Sequence, residues 1–186
     1  MSVRYAQGGG LTGAARMWPR KEIKLNQSKS SAPVHSRRWR KTWEAARGVN
    51  LANATEVDLR YKSFGVNVSL VMGETEIVSP RRFVTPVDSA LSIRNVMESI
   101  VRGEDSGFGF TESEEIISFR KEGDRISVIS STKPVRSEVT ADELISEFSH
   151  FLWSAHSFLL NELPDLGGNA VAGRMVEGLA PIELNE

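Results

Sequence analysis

Thr140–Leu163, TADELISEFSHFLWSAHSFLLNEL, is the stretch whose reading decides the fold. Leu144, Phe148, Phe151, Leu152, Ala155, Leu159 and Leu163 recur at steps of three and four, which places them on one face of a helix of about six turns. Thr140 and Glu143 have the spacing of a capping box, Val139 and Leu144 that of a hydrophobic staple, and Pro164 with Gly167 and Gly168 ends the run. A helix apolar along one face needs a surface to cover, and the preceding residues read as that surface.

Upstream, Arg125–Ser131, Ile116–Arg120 and the Phe108/Phe110 pair read as three strands, joined by a turn at Lys121-Glu122-Gly123-Asp124 and another at Glu112–Glu115. A second helix is expected from a cap at Asp88 or Ser89 to a stop at Gly103, with Ile93, Val96, Met97, Ile100 and Val101 on its apolar face. Before it, Val57, Leu59 and Tyr61 alternate with charged residues, as do Val66, Val68, Leu70 and Met72 with less apolar neighbours. This predicts a strand pair, or one strand bent at Gly65, that turns at Gly73-Glu74 into Thr75–Ser79. Grouped strands with segregated helices predict an α+β two-layer sandwich: an antiparallel sheet of about five strands, ββαβββα in order, with both helices on one face.

Charge divides the chain. Residues 1–47 hold eleven Lys/Arg against Glu22 and Glu44, a net of +9, leaving 12 of the 23 basic residues against 22 of the 24 acids in residues 48–186, a net of −10. The domains expected are a basic, largely irregular arm over 1–55, an acidic body over 56–165, and a Gly- and Ala-rich tail over 166–186. That tail is either loose or held through Met175, Val176, Leu179 and Ile182. Cysteine is absent, which removes disulfides and thiolate chemistry, and no apolar run reaches the roughly 18 residues of a membrane span. A cytoplasmic protein with no membrane partner is the expectation.

Glycines, prolines and a serine patch interrupt the arm, and only Ser36–Arg47, SRRWRKTWEAAR, reads as a short basic helix, with Trp39 and Trp43 four apart. Arg4–Thr12, RYAQGGGLT, resembles the opening of actinobacterial insertion-sequence transposases with an N-terminal helix-turn-helix, and Ser36–Trp43 is similar to the end of their recognition unit. The resemblance covers about the first quarter of the chain and implies a DNA-binding origin for the arm. Gly13–His35 departs from that pattern, with too few apolar residues to build the supporting helices, and no catalytic carboxylate domain follows. The acidic body is loosely similar in element order to small uncharacterised actinobacterial α+β proteins.

The chain carries no recognisable catalytic or metal-binding motif. His150 and His156 are six apart on the long helix and point apart, and His35 belongs to the arm. Glu104-Asp105 and Glu112, Glu114, Glu115 read as solvated turns, and Gly8–Gly10 lacks the context of a phosphate loop. No catalytic residue, metal or cofactor is therefore expected. Trp153 and Leu160 fall on the face of the long helix that should be wet, so they mark either a contact surface or the place where the C-terminal tail lies.

Three functions compete. The first is a non-enzymatic protein-binding or regulatory domain whose acidic surface recognises a basic partner, as a bacterial immunity protein masks a basic toxin. The second is nucleic-acid binding through the arm, with phosphate contacts from Arg37, Arg38, Arg40 and Lys41 and stacking by Trp39 or Trp43. The third is an enzyme whose site is assembled from scattered residues.

Overall fold

A computed structural model describes residues 22–26, 48–72, 75–78, 83–111, 113–134 and 136–181. The chain is α+β. Its strands, however, form two antiparallel sheets where a single one was expected.

The first sheet is built on β2, Val66–Met72. One edge pairs with β1, Glu22–Asn26, from Glu22↔Val71 to Asn26↔Asn67, while the other is shared by β3, Thr75–Val78, and the short β4, Phe83–Val84. The arm was expected to be irregular, yet five of its residues form an edge strand of this sheet. Both edges of β2 are thereby occupied. The second sheet is a meander of β5, Ser106–Phe110; β6, Ser113–Glu122; β7, Arg125–Ser130; and β8, Arg136–Thr140. It meets the first through side chains, not a ladder: Ser137 Oγ donates to Met72 O at 3.2 Å and Lys133 Nζ to Ile77 O at 3.3 Å.

Residues Glu56–Tyr61 form a helix, α1, where a strand was predicted. Thr55 Oγ1 accepts from Asp58 N at 3.2 Å, Glu56 and Asp58 occupy the first turn, and the i,i+4 pairs Glu56–Arg60 and Asp58–Lys62 close at 3.0 and 2.8 Å. These helix signals outweigh an alternation only five residues long. Of the three alternating residues only Leu59 is buried, while Val57 and Tyr61 are exposed. Phe64, at φ 60°, turns the chain into β2.

The second helix, α2, spans Pro86–Val101 and starts earlier than the predicted caps, with Thr85 at the cap and Pro86 in the first turn, where a missing N–H costs nothing. Ile93, Val96, Met97 and Ile100 are buried as their spacing requires. Val101 is not: it lies past the buried stripe and is 71% exposed.

The long helix, α3, spans Ala141–Glu162 and carries the predicted capping box between Thr140 and Glu143. It packs on α2, on β1 of the first sheet and on β8 of the second, so a single apolar face joins both sheets. Phe148 meets Phe119 of β6 edge-to-face at 5.6 Å between ring centroids, and Phe119 stacks on Phe108 of β5 at 5.9 Å.

The tail packs on the body through Leu166, Ala172 and Met175, with Val176 and Leu179 partly buried against the core. A 3₁₀ turn at Pro164–Gly168 leads into α4, Ala170–Arg174. Asn169, 4% exposed, is the joint. Its Oδ1 accepts from Val171 N and Ala172 N at the start of α4, while its Nδ2 donates to the carbonyls of Leu51, Ala52 and Ala54 at 2.8, 3.3 and 3.0 Å. The tail thus holds the 3₁₀ helix Leu51–Asn53 that leads into α1. Among the described residues, no helix is long and apolar enough to cross a membrane.

Candidate functional site

A groove of about 400 Å³ lies between α1, α2 and β5. Asp88, Ser92 and Asn95 line one wall, spaced by four and three along α2, which makes a polar stripe beside the buried face of that helix. Arg60 and Tyr61 of α1 close one end, and Gly107, Phe108 and Gly109 of β5 supply the other wall.

Arg60 is the electrostatic centre. It contacts Asp88 Oδ1 through Nε at 2.7 Å and Nη2 at 2.6 Å, reaches Glu56 Oε1 through Nη1 at 3.0 Å, and lies 5.4 Å from the centroid of the Tyr61 ring. Burial disfavours its charge, but the bonds to Asp88 and Glu56 outweigh that and hold its pKa above the ordinary arginine value. Bonds from Arg174 and then Arg60 pull Glu56 below the usual carboxylate range, with Arg174 Nη2 at 2.5 Å from Glu56 Oε2. Thr111 Oγ1 donates to Asp88 Oδ2 at 3.4 Å, and Thr85 Oγ1 donates to Arg60 O. Arg60 and Asp88 therefore neutralise each other. The groove offers polar side chains and strand backbone to an occupant, with its charged pair already committed.

The sequence-predicted residues lie elsewhere. Trp153 is half-buried and its Nε1 donates to Ala180 O at 2.9 Å, so the C-terminal segment lies against it; Leu160 is partly buried against the core. Arg37, Arg38, Trp39, Arg40, Lys41 and Trp43 lie outside the described residues, as do residues 4–12 and His35. His150 is exposed. His156 is half-buried with its ring edge-to-face on Trp153 at 6.0 Å, and burial lowers its pKa.

The acidic clusters need one correction. Glu104 and Asp105 are exposed, but Glu115 is 1% exposed and accepts from Ser130 Oγ at 2.6 Å. Strand β6 begins at Ser113, earlier than predicted, and its two-residue period turns Glu115 inward with Ile117 and Phe119. Among the described residues no group of three His, Asp or Glu side chains is placed to hold a metal ion.

No family model, curated protein or solved structure matches the chain.

Sequence reasoning missed the groove because α1 was read as a strand and its partners are far apart in the chain. One signal was present. Gly107 and Gly109 alternate with Phe108 and Phe110 in a strand with no charged residue, a pattern that leaves one face without side chains.

Proposed function

We propose that the chain is a protein-binding domain whose acidic body takes a basic partner. The observation that carries this reading is the juxtaposition of an acidic stretch, residues 48–186 with a net charge of −10, with a groove whose one wall is strand backbone and whose ion pair is internally neutralised. Main-chain groups and short polar side chains suit recognition of a polypeptide, and the acidic excess of residues 48–186 favours a cationic one. Masking of a basic protein such as a nuclease is one form this activity takes.

Isolation of the tagged full-length chain from its own cells at low salt, with identification of stoichiometric co-purifying species, tests the reading. A basic protein is expected, released as ionic strength rises and the Debye length shrinks below about 8 Å. Recovery of nucleic acid alone, lost when Arg37, Arg38, Arg40 and Lys41 are all changed to Ala in the full-length chain, would refute it in favour of the arm.

A further inference from the structure

The two outer strands of the second sheet differ in how they end it. β8 carries Arg136, which pairs with both Glu138 and Glu122, and its Ser137 is bonded to the first sheet. Charge and cover of this kind protect an edge from further pairing. β5, Ser-Gly-Phe-Gly-Phe, ends the sheet on the other side with no charged residue and no proline.

The direction of its backbone groups follows from its neighbour. Ile116 of β6 accepts at its carbonyl from Ser131 N and donates its N–H to Ser131 Oγ, both at 2.9 Å, so its main chain is turned away from β5. Gly109 is the residue opposite Ile116 and Gly107 the residue opposite Ser118. In an antiparallel ladder a residue facing a neighbour turned away is itself turned away, and the pattern repeats every second residue. Gly107 and Gly109 therefore direct two N–H and two C=O groups outward, along the groove walled by Asp88, Ser92 and Asn95. Both glycines are exposed, and Ile116, 51% exposed, lies beside them as an apolar contact on the outer face.

Resting on the protein-binding reading above, we propose that an extended basic segment of the partner binds by adding a strand to the outer edge of β5. The groove selects the occupant. Its walls come from α1 and α2, and the β5 of a second copy would carry its own two helices toward them, so the occupant proposed is a single extended segment. The acidic excess of the body selects a cationic one.

The test uses the isotopically labelled full-length chain and an alternating Lys-Thr peptide of about ten residues, with a Glu-Thr peptide as control. At about ten times its Kd, the Lys-Thr peptide should slow amide exchange at Gly107 and Gly109 about tenfold, and the Glu-Thr peptide should not. Two substitutions at one position separate strand addition from a general disturbance. A Cβ at Gly109 meets nothing closer than Glu115 O at 3.6 Å, and the Gly109 N–H is not used by β6, so both Gly109→Ala and Gly109→Pro should fold and melt as wild type does. Gly109→Ala should bind within about twofold of wild type, while Gly109→Pro, lacking an outward donor, should lose at least about tenfold.

Equal binding by the proline variant, or peptide protection confined to α3, would overturn strand addition and leave the protein-binding reading standing. No binding of the Lys-Thr peptide would also overturn it, with the broader reading then decided by the isolation experiment. Slow exchange at Gly107 and Gly109 in the free full-length chain would mean that the edge is filled from within, and would equally overturn the partner's role.

Discussion

Asn169→Ala should cost the fold about 3 kcal/mol. The side chain does two things at once: its oxygen caps α4, and its amide bridges three carbonyls of residues 51, 52 and 54. Losing an N-cap costs about 1 kcal/mol. The carbonyls differ in what they keep, since Leu51 O still accepts from Ala54 N at 3.2 Å, so the bridge is worth about one net hydrogen bond for each of the other two, about 2 kcal/mol together. With an m-value of about 2 kcal/mol/M, the urea midpoint should fall by about 1.5 M at unchanged slope. Asn169→Ser separates the parts, because serine can cap but cannot bridge, and it should recover only about 1 kcal/mol. Amide exchange over residues 51–61 should accelerate in both variants, because the bridge holds the segment that delivers Arg60 and Tyr61 to the groove. A loss below about 1 kcal/mol in Asn169→Ala, or full recovery in Asn169→Ser, would refute the tail's role in positioning α1.

Further outcomes follow from other contacts. Ser130→Ala should destabilise by about 2 kcal/mol in urea unfolding, because Ser130 Oγ donates to buried Glu115 and accepts from Lys133 N at 3.2 Å. Burial holds the His156 pKa below its ordinary 6.5, so the unfolded chain binds the proton more readily. Its contribution is fully present above about pH 6.5 and is lost as pH falls toward the folded value; His156→Gln should flatten melting temperature against pH in that interval. Gly107→Ala should be costly where Gly109→Ala is not, since its Cβ would sit 2.9 Å from Ile117 O; comparable melting temperatures for the two would count against the close approach of β5 and β6. Trp153→Phe keeps an aromatic ring, though a smaller one, and removes the donor to Ala180 O; it should cost about 1 kcal/mol or more while speeding proteolysis of the last residues.

Local patterns were legible where one face repeats over many residues. Leu144 through Leu159 gave about four turns of regular spacing, which no strand can mimic, and the Thr140–Glu143 cap fixed where that helix begins. Short elements were not legible. Val57, Leu59 and Tyr61 satisfy an alternation by coincidence within a six-residue helix, and β8 carries a single buried apolar residue, Val139. The buried Glu115 was hidden in the same way, because its inward turn depends on where β6 starts.

By itself the chain's order of residues determined the α+β class, the long helix with its start, the covered face of α2 and the division into basic and acidic parts, since each depends on neighbours within a few turns or on composition alone. The tertiary structure decided the rest. Which strands pair depends on edges already taken: β1 and the β3/β4 pair fill both sides of β2, so β5–β8 close a sheet of their own and leave the outer edge of β5 beside α2. The groove joins residues 60, 88 and 107, and no local pattern carries the long-range packing that brings them together.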